Sequence, residues 1–187
     1  MAAKKSKAEI ATIDCSLVTI QVDESEFGFD TSNQISVEPA VETQEAVRLV
    51  VKGILRAQKP KMVTVTGNTI TLTDNVFNPE LVQILQGGTI VWDEIDASKV
   101  KSYTPPVAGS SERGKTFTLN AYSAQYDAAG LIVSYEKISY PNCKGEPIAF
   151  SSEDGAFRAP SYTIVSMPKQ DEAPYTIEYV DALPALG

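Results

Sequence analysis

The side chains that could do chemistry here are carboxylates, because the 187-residue sequence contains no histidine. Histidine is the commonest general base near neutral pH, so its absence removes the Ser-His and Cys-His nucleophile arrangements. A pair of carboxylates could still hydrolyse a glycosidic bond. The acidic clusters to consider are Asp93, Glu94 and Asp96, and Glu153 with Asp154. Each adjoins a predicted turn or loop, where acids are usually solvated, so we expect no catalytic residues and no enzyme activity.

Metal and cofactor sites are not predicted either. Residues 152–155 (SEDG) offer fewer oxygen ligands than a calcium ion needs, and Asp-Gly is typical of a hairpin turn. The phosphate-binding patterns GxxxxGK[ST] and GxGxxG are absent, as is the GxSxG elbow. Cys15 and Cys143 match no metal-binding or CxxC spacing. We therefore expect two free thiols that serve as small apolar side chains.

Four tyrosines, Tyr122, Tyr126, Tyr135 and Tyr140, fall on two adjacent predicted strands. They could form a stacking surface for sugars or bases, or they could be ordinary cross-strand pairs on a sheet. A net charge of −8 argues against nucleic acid as the ligand, because such binding depends on neutralising phosphates. A carbohydrate-binding or adhesin-like β-sandwich therefore stays open as an alternative function.

Composition indicates a folded domain without a membrane partner. Hydrophobic residues make up 43% of the chain and charged residues 21%, which suffices for a core. The apolar runs are far too short to cross a bilayer. Residues 1–8 contain Lys4, Lys5 and Lys7 but no apolar segment, so we expect a basic arm rather than a signal peptide, and synthesis in a cytoplasm.

Strand patterns dominate the rest, which we expect to form one β-rich domain over 9–187. A hairpin is predicted around residues 127–130 and another around Gly67-Asn68, with one strand over 46–57 and long loops at about 23–43 and 97–114. One helix is predicted over about 78–86, because Asn78 can cap it, Pro79 fits its first position and Gly87 can stop it. The predicted fold is mainly β, an antiparallel sandwich or barrel of roughly nine or ten strands with one short flanking helix.

Two long stretches are familiar: TGNTITLTDNVFNPELVQILQGGTI from residue 66, and YTPPVAGSSERGKTFTLNAYSAQYDAAGLIVSYEKISYPNCKGEPIAF from residue 103. With the ending SYTIVSMPKQDEAPYTIEYVDALP, they make the chain resemble the major tail (tube) proteins of phages and prophages of Gram-positive bacteria, over about residues 8–183. The resemblance implies a subunit that closes into rings, typically hexameric, which stack into a hollow tube through which DNA passes without specific binding. It also implies a location in the virion tail, after assembly in the host bacterial cytoplasm.

The partners implied by the resemblance are further copies of the chain and the tape-measure, tail terminator and baseplate or tip proteins, with a sheath if the tail is contractile. Physics agrees with this role, since strand-rich subunits with open edges can extend their sheets into a neighbour. The acidic balance would keep DNA from adhering to a tube wall. We assign the contacts between subunits to the two predicted long loops.

Overall fold

The computed structural model describes residues 10–96, 98–111, 114–155 and 157–186, so the predicted basic arm at 1–8 lies outside the described part. Twelve strands and one helix form this part, and the strands pair antiparallel. The chain is therefore mainly β, as predicted, with more strands than the nine or ten expected. The elements are β1 (Thr12–Val22), β2 (Ser25–Phe29), β3 (Ser32–Gln44), β4 (Val47–Val51), β5 (Ile54–Lys59), β6 (Met62–Asp74), α1 (Pro79–Gln86), β7 (Thr89–Trp92), β8 (Val100–Thr104), β9 (Phe117–Tyr126), β10 (Ile132–Gly145), β11 (Ser161–Ser166) and β12 (Thr176–Val180).

One large sheet organises the molecule. Its hydrogen-bonded order is β2-β1-β9-β10-β11-β6-β3, and β12 pairs with the first half of β10. The two ends of this path, β2 and β3, are joined in sequence only by Asp30 and Thr31. Such a short link brings the two ends of the sheet together, so the sheet must curl round. β4 with β5, and β7 with β8, form separate two-stranded ribbons.

The hydrophobic core lies on the inner face of the curled sheet. Alternate residues of the paired strands point to one face of a sheet, and here that face is apolar. The core combines fully or nearly fully buried side chains from β1, β2, β6, β9, β10, β11 and α1. They include Val18, Ile20, Val22, Phe29, Ile70, Leu72, Leu81, Val82, Leu85, Phe117, Leu119, Tyr140, Cys143, Tyr162 and Ile164.

Helix α1 begins and ends where local signals predict. The Asn78 side chain accepts hydrogen bonds from the backbone N–H groups of Glu80 (2.9 Å) and Leu81 (3.3 Å), and so caps the helix. At the other end, the Gly87 N–H donates to the Gln83 carbonyl at 2.9 Å. The three apolar side chains listed above from α1 are completely buried, so packing on the sheet stabilises this short helix.

The loop predicted over residues 23–43 is wrong, because this segment forms β2 and most of β3. Phe27 and Phe29 lie two residues apart on the same face of β2 and pair opposite Ile20 and Val18, where they contribute to the core. Pro39 lies inside β3. A proline is tolerated there because β3 ends the sheet path and pairs only with β6 among the described strands.

The hairpin turn predicted at Gly67-Asn68 is also wrong. Both residues lie within the continuous strand β6, where Asn68 pairs with Ser166 on one side and Pro39 on the other. A side chain at Gly67 would begin only 2.3 Å from the Ser166 carbonyl oxygen, so glycine is needed for close strand contact rather than for a turn. Pairing on both edges of β6 overrides the local turn preference.

Two further segments differ from their prediction. Residues 46–57 are not one strand, because Lys52 and Gly53 adopt positive φ (49° and 79°) and turn the chain from β4 into β5. The predicted loop over 97–114 contains the strand β8. The predicted hairpin at 127–130 is confirmed, and Asp127 accepts hydrogen bonds there from the N–H groups of Ala129 (2.8 Å) and Leu131 (2.9 Å).

Candidate assembly surfaces

The first acidic cluster lies in the connection between β7 and β8, where two of its carboxylates accept hydrogen bonds from the backbone of the turn. Asp93 accepts the backbone N–H groups of Ile95 (2.9 Å) and Asp96 (3.1 Å), and these bonds lower its pKa. Hydrogen bonds from Ser98 and then Lys99 lower the pKa of Asp96. A general acid of a glycosidase needs a raised pKa instead. The cluster therefore has the electrostatics of a solvated turn.

The second acidic cluster, Glu153 and Asp154, lies in an exposed turn of the segment between β10 and β11. Arg158 fixes this segment, since its guanidinium lies over the rings of Phe77 (5.7 Å) and Phe150 (5.6 Å). Among the residues that the structure describes, no group of three or more His, Cys, Asp or Glu side chains could hold a metal ion. No helix in the described ranges is long and apolar enough to cross a membrane.

The four tyrosines lie on β9 and β10, as predicted, but they do not share an open face. Tyr122 and Tyr140 are buried, and Tyr140 belongs to the hydrophobic core. In the strand register, Lys137 lies opposite Tyr122, so Tyr140, three residues further along β10, points to the other side of the sheet. Tyr126 and Tyr135 lie on the same face as Tyr122, because Tyr135 pairs with Ala124, but the burial of Tyr122 leaves two of the four rings accessible on that face.

Both cysteines are free thiols, as predicted. Cys143 is buried in the core, and desolvation raises the pKa of its thiol to about 12. Burial also raises the pKa of Cys15, which is partly exposed. A neutral thiol is a poor nucleophile and a poor metal ligand, so these residues are suited to packing.

The most unusual surface of the molecule is a two-stranded ribbon, residues 41–66, formed by the end of β3, β4, β5 and the start of β6. Every residue of the ribbon is exposed. The antiparallel pairing runs from Ala40 opposite Gly67, through Gln44 opposite Met62, to Val51 opposite Ile54 at the tip, with register shifts at residues 40–41 and 49–50. At about 3.3 Å per residue, the ribbon extends roughly 40 Å from the packed body.

The ribbon presents apolar side chains to water on both of its faces. Leu49 and Val50 are successive strand residues, so they point to opposite faces, and each is 56% exposed. Ten large apolar side chains of the ribbon are between 42% and 65% exposed. They are Val41, Val47, Leu49, Val50, Val51, Ile54, Leu55, Met62, Val63 and Val65. An isolated two-stranded ribbon is marginally stable in water, and extended apolar surface of this kind marks an interaction site.

A second exposed apolar surface lies where β9 meets β10. There the large sheet continues beyond the core as a single layer, with exposed side chains from β1, β9 and β10 and from the link between the last two. These side chains are Ile13, Tyr126, Leu131, Ile132 and Val133. β12 borders this region, pairs only with β10 among the described strands, and exposes Ile177 and Tyr179. Its unpaired edge is available to another strand.

Sequence patterns did not identify the ribbon as exposed. The run AVRLVVKGILRA has the β-branched composition of a buried strand, and only its spacing of bases, at Arg48, Lys52 and Arg56, hints that no core covers it. The predicted contact loops at 23–43 and 97–114 instead contain paired strands.

Comparison with known proteins identifies no family for this chain. No protein-family model matches it, and no curated protein matches it. Among solved structures, it is similar to a chain of the cryo-EM structure of the anti-feeding prophage baseplate, 6-fold symmetrised. That similarity covers 95% of this chain and 97% of the other, with 11% sequence identity and a TM-score of 0.36. A TM-score this low does not establish a common fold.

Proposed function

We propose that this chain is the structural subunit of the tail tube of a phage or phage-tail-like particle, and that it acts by self-association rather than by catalysis. The observation that carries the proposal is the ribbon, because none of the residues that the structure describes covers its apolar side chains. Burying such surface against another protein is the main source of association free energy. The unpaired edge of β12 supplies a second surface through which copies could join.

The finer features of this proposal rest on the sequence resemblance to major tail proteins. In this proposal, copies close into hexameric rings, and the rings stack into a hollow tube in the virion tail. The net charge of −8 supports a conduit for DNA, since an acidic wall repels a polyanion that passes through it. The tape-measure, terminator and baseplate or tip proteins would be its neighbours, with a sheath in a contractile tail.

Shortening the ribbon tests the proposal. Gln44 and Met62 pair directly across the ribbon, so a two-residue Asn-Gly turn can replace residues 45–61 without disturbing the register behind it. We expect the parent chain to form rings or tubes with increasing concentration, in sedimentation velocity and negative-stain microscopy. We expect the shortened chain to stay folded and monomeric.

A milder variant and a matched control separate assembly from folding. Leu49→Thr with Val50→Thr removes apolar surface from both faces of the ribbon but keeps residues that favour strands. Val76→Thr with Val91→Thr changes two side chains of similar exposure outside the ribbon. Assembly should weaken in the first pair and persist in the second. Equal assembly by the shortened chain and the parent would refute the role of the ribbon.

A carbohydrate-binding function is not favoured by any observation on the tyrosines, two of which are buried. A glycan array would revive this alternative if it detected binding that Tyr126→Ala and Tyr135→Ala abolish, since these two side chains are less buried.

A further inference from the structure

The ribbon differs from the rest of the molecule in charge. It contains five bases and two acids, a net charge of +3, whereas the whole chain has a net charge of −8. The bases are Arg48, Lys52, Arg56, Lys59 and Lys61, and the acids are Glu42 and Glu45. Lys61 pairs with Glu45 within the ribbon at 3.4 Å. Arg48 and Arg56 form no ion pair with any residue that the structure describes, so their charges remain available.

The opposite charge is concentrated on the hairpin of β1 and β2. This acidic hairpin, residues 12–30, contains five acids and no base. The acids are Asp14, Asp23, Glu24, Glu26 and Asp30, and all five are exposed. Lys115 neutralises one of them, with its Nζ 3.2 Å from Asp23 Oδ2. Within the described ranges, Glu24 and Asp30 form no ion pair.

The acidic hairpin also lies at one end of the large sheet. β2 ends the hydrogen-bonded path of the large sheet and pairs only with β1 among the described strands. Helix α1 and residues 184–186 lie beside β2, and the exposed carboxylates of the hairpin would favour a neighbour that carries positive charge. The cationic ribbon is such a neighbour.

The ribbon and the β1–β2 turn point in opposite directions along the strands. The pairing of neighbouring strands shows which residues lie at the same level of the sheet. Asn68 pairs with Ser166, Ser166 with Cys143, and Cys143 with Phe117. Next to Phe117, Thr118 pairs with Gln21, close to the turn from β1 to β2. From this level the ribbon extends along β6 in the direction that leads away from the β1–β2 turn. The ribbon of one copy therefore projects away from the β1–β2 turn of the same copy.

We propose that the ribbon of one copy docks along the acidic β1–β2 hairpin of the next copy, in a heterologous, head-to-tail contact that depends on opposite charge. This inference rests on the proposed function, because it names the partner of the ribbon. A contact between different patches of identical subunits repeats from copy to copy, as stacking requires. The acidic body disfavours nucleic acid or an anionic membrane as the occupant, since it would repel both.

Two variants, each with the charge of one surface reversed, test this pairing. Arg48→Glu with Arg56→Glu gives the ribbon a net charge of −1, and Asp14→Lys, Glu24→Lys and Asp30→Lys together give the hairpin a net charge of +1. All five side chains are exposed, so the fold should persist, which circular dichroism checks. Each variant alone juxtaposes like charges and should self-associate about tenfold or more weakly than the parent. An equal mixture of the two variants should associate again, because both kinds of contact then join opposite charges.

Three controls test whether the effect on association depends on this pair of surfaces. Lys101→Glu with Lys144→Glu changes the net charge by the same amount as the ribbon variant but at exposed body positions, and should leave association within about twofold of the parent. Association of the parent should weaken between about 0.05 M and about 1 M salt, where the Debye length falls to ~3 Å. Binding of the parent to duplex DNA or anionic vesicles, lost in the ribbon variant, would instead identify another occupant and overturn the inference.

The remaining outcomes separate this inference from the proposed function. If the parent assembles and the ribbon variant assembles equally well, or the mixture fails to associate, the charge pairing is refuted while the tube role stands. If the parent shows no self-association at its highest soluble concentration, and no tube in its native particle contains it, both fail together.

Discussion

At the scale of single residues, the ionisable groups that the fold perturbs most are buried phenols and one thiol rather than carboxylates. Desolvation is the largest cause for all three of Tyr140, Cys143 and Tyr162, and it raises each pKa to about 12. These groups belong to the core and have no access to a substrate. Their perturbed pKa values therefore report packing, and they predict how stability depends on pH.

We expect the free energy of unfolding to fall as the pH rises from about 9 towards about 12. The three folded pKa values of about 12 exceed the ordinary values of 10.0 for tyrosine and 9.0 for cysteine, so unfolding releases protons in this range. The stability that these groups contribute is complete below the ordinary values and is lost as pH approaches the folded ones. Urea unfolding at a series of pH values measures this decline.

The double variant Tyr140→Phe, Tyr162→Phe should show a shallower decline, because two of the three groups no longer ionise. Tyr126→Phe, at an exposed position, is the matched control and should leave the decline unchanged. An identical pH dependence in the double variant and the parent would show that these phenols are not desolvated.

At the scale of elements, the N-cap of α1 offers a direct test of local structure. Asn78→Ala removes the acceptor for the N–H groups of Glu80 and Leu81 and should cost about 1 kcal/mol of stability. Asn78→Ser retains a capping oxygen and should recover most of that loss. Urea unfolding measures both variants, and equal stability of the alanine and serine variants would contradict the assigned cap.

The ribbon should be the least protected element of the unassembled chain. Its backbone hydrogen bonds lie in a two-stranded segment with no core, whereas β9 is buried between two strands. Amide hydrogen exchange followed by mass spectrometry should therefore show fast exchange in residues 41–66 and slow exchange in β9. Assembly should slow exchange in the ribbon alone by a large factor. Ribbon amides that are as protected as those of β9 before assembly would contradict this description.

Local chemistry made some elements predictable from the sequence. The helix follows from Asn78, Pro79 and Gly87, whose effects operate within a few residues of one another. The β9–β10 hairpin follows from the Asp127 turn between two β-branched runs. The turn predicted at Asp93 and Asp96 is local for the same reason, since the hydrogen bonds of these two carboxylates lie within it.

Features set by distant contacts were not predictable in this way. Gly67 and Asn68 have the composition of a turn, but pairing with Pro39 and Ser166 holds them in a strand. Strand β2 was not predicted because acids lie in and around it, although Phe27 and Phe29 have the spacing of side chains on one face of a strand. The exposure of the ribbon could not be predicted because its composition is that of a buried strand. Whether other elements cover a strand depends on the whole fold.

At the scale of the whole molecule, charge and shape divide the chain into a cationic apolar extension and an acidic body. The ribbon has a net charge of +3, and residues 10–40 contain six acids and no base. Net charge alone describes solubility, but its separation along the strand direction gives the subunit a polarity. A polar subunit that joins head to tail builds a stack, which is the arrangement that a tail tube requires.

The most direct test of the central claim is electron microscopy of the native particle that contains this chain, with the chain located in the map. The account predicts a hollow wall of stacked rings in which each copy buries the ribbon, residues 41–66, against the acidic hairpin of the next. A particle whose tube is built from another protein, or a chain that stays monomeric with its ribbon exposed, would contradict it.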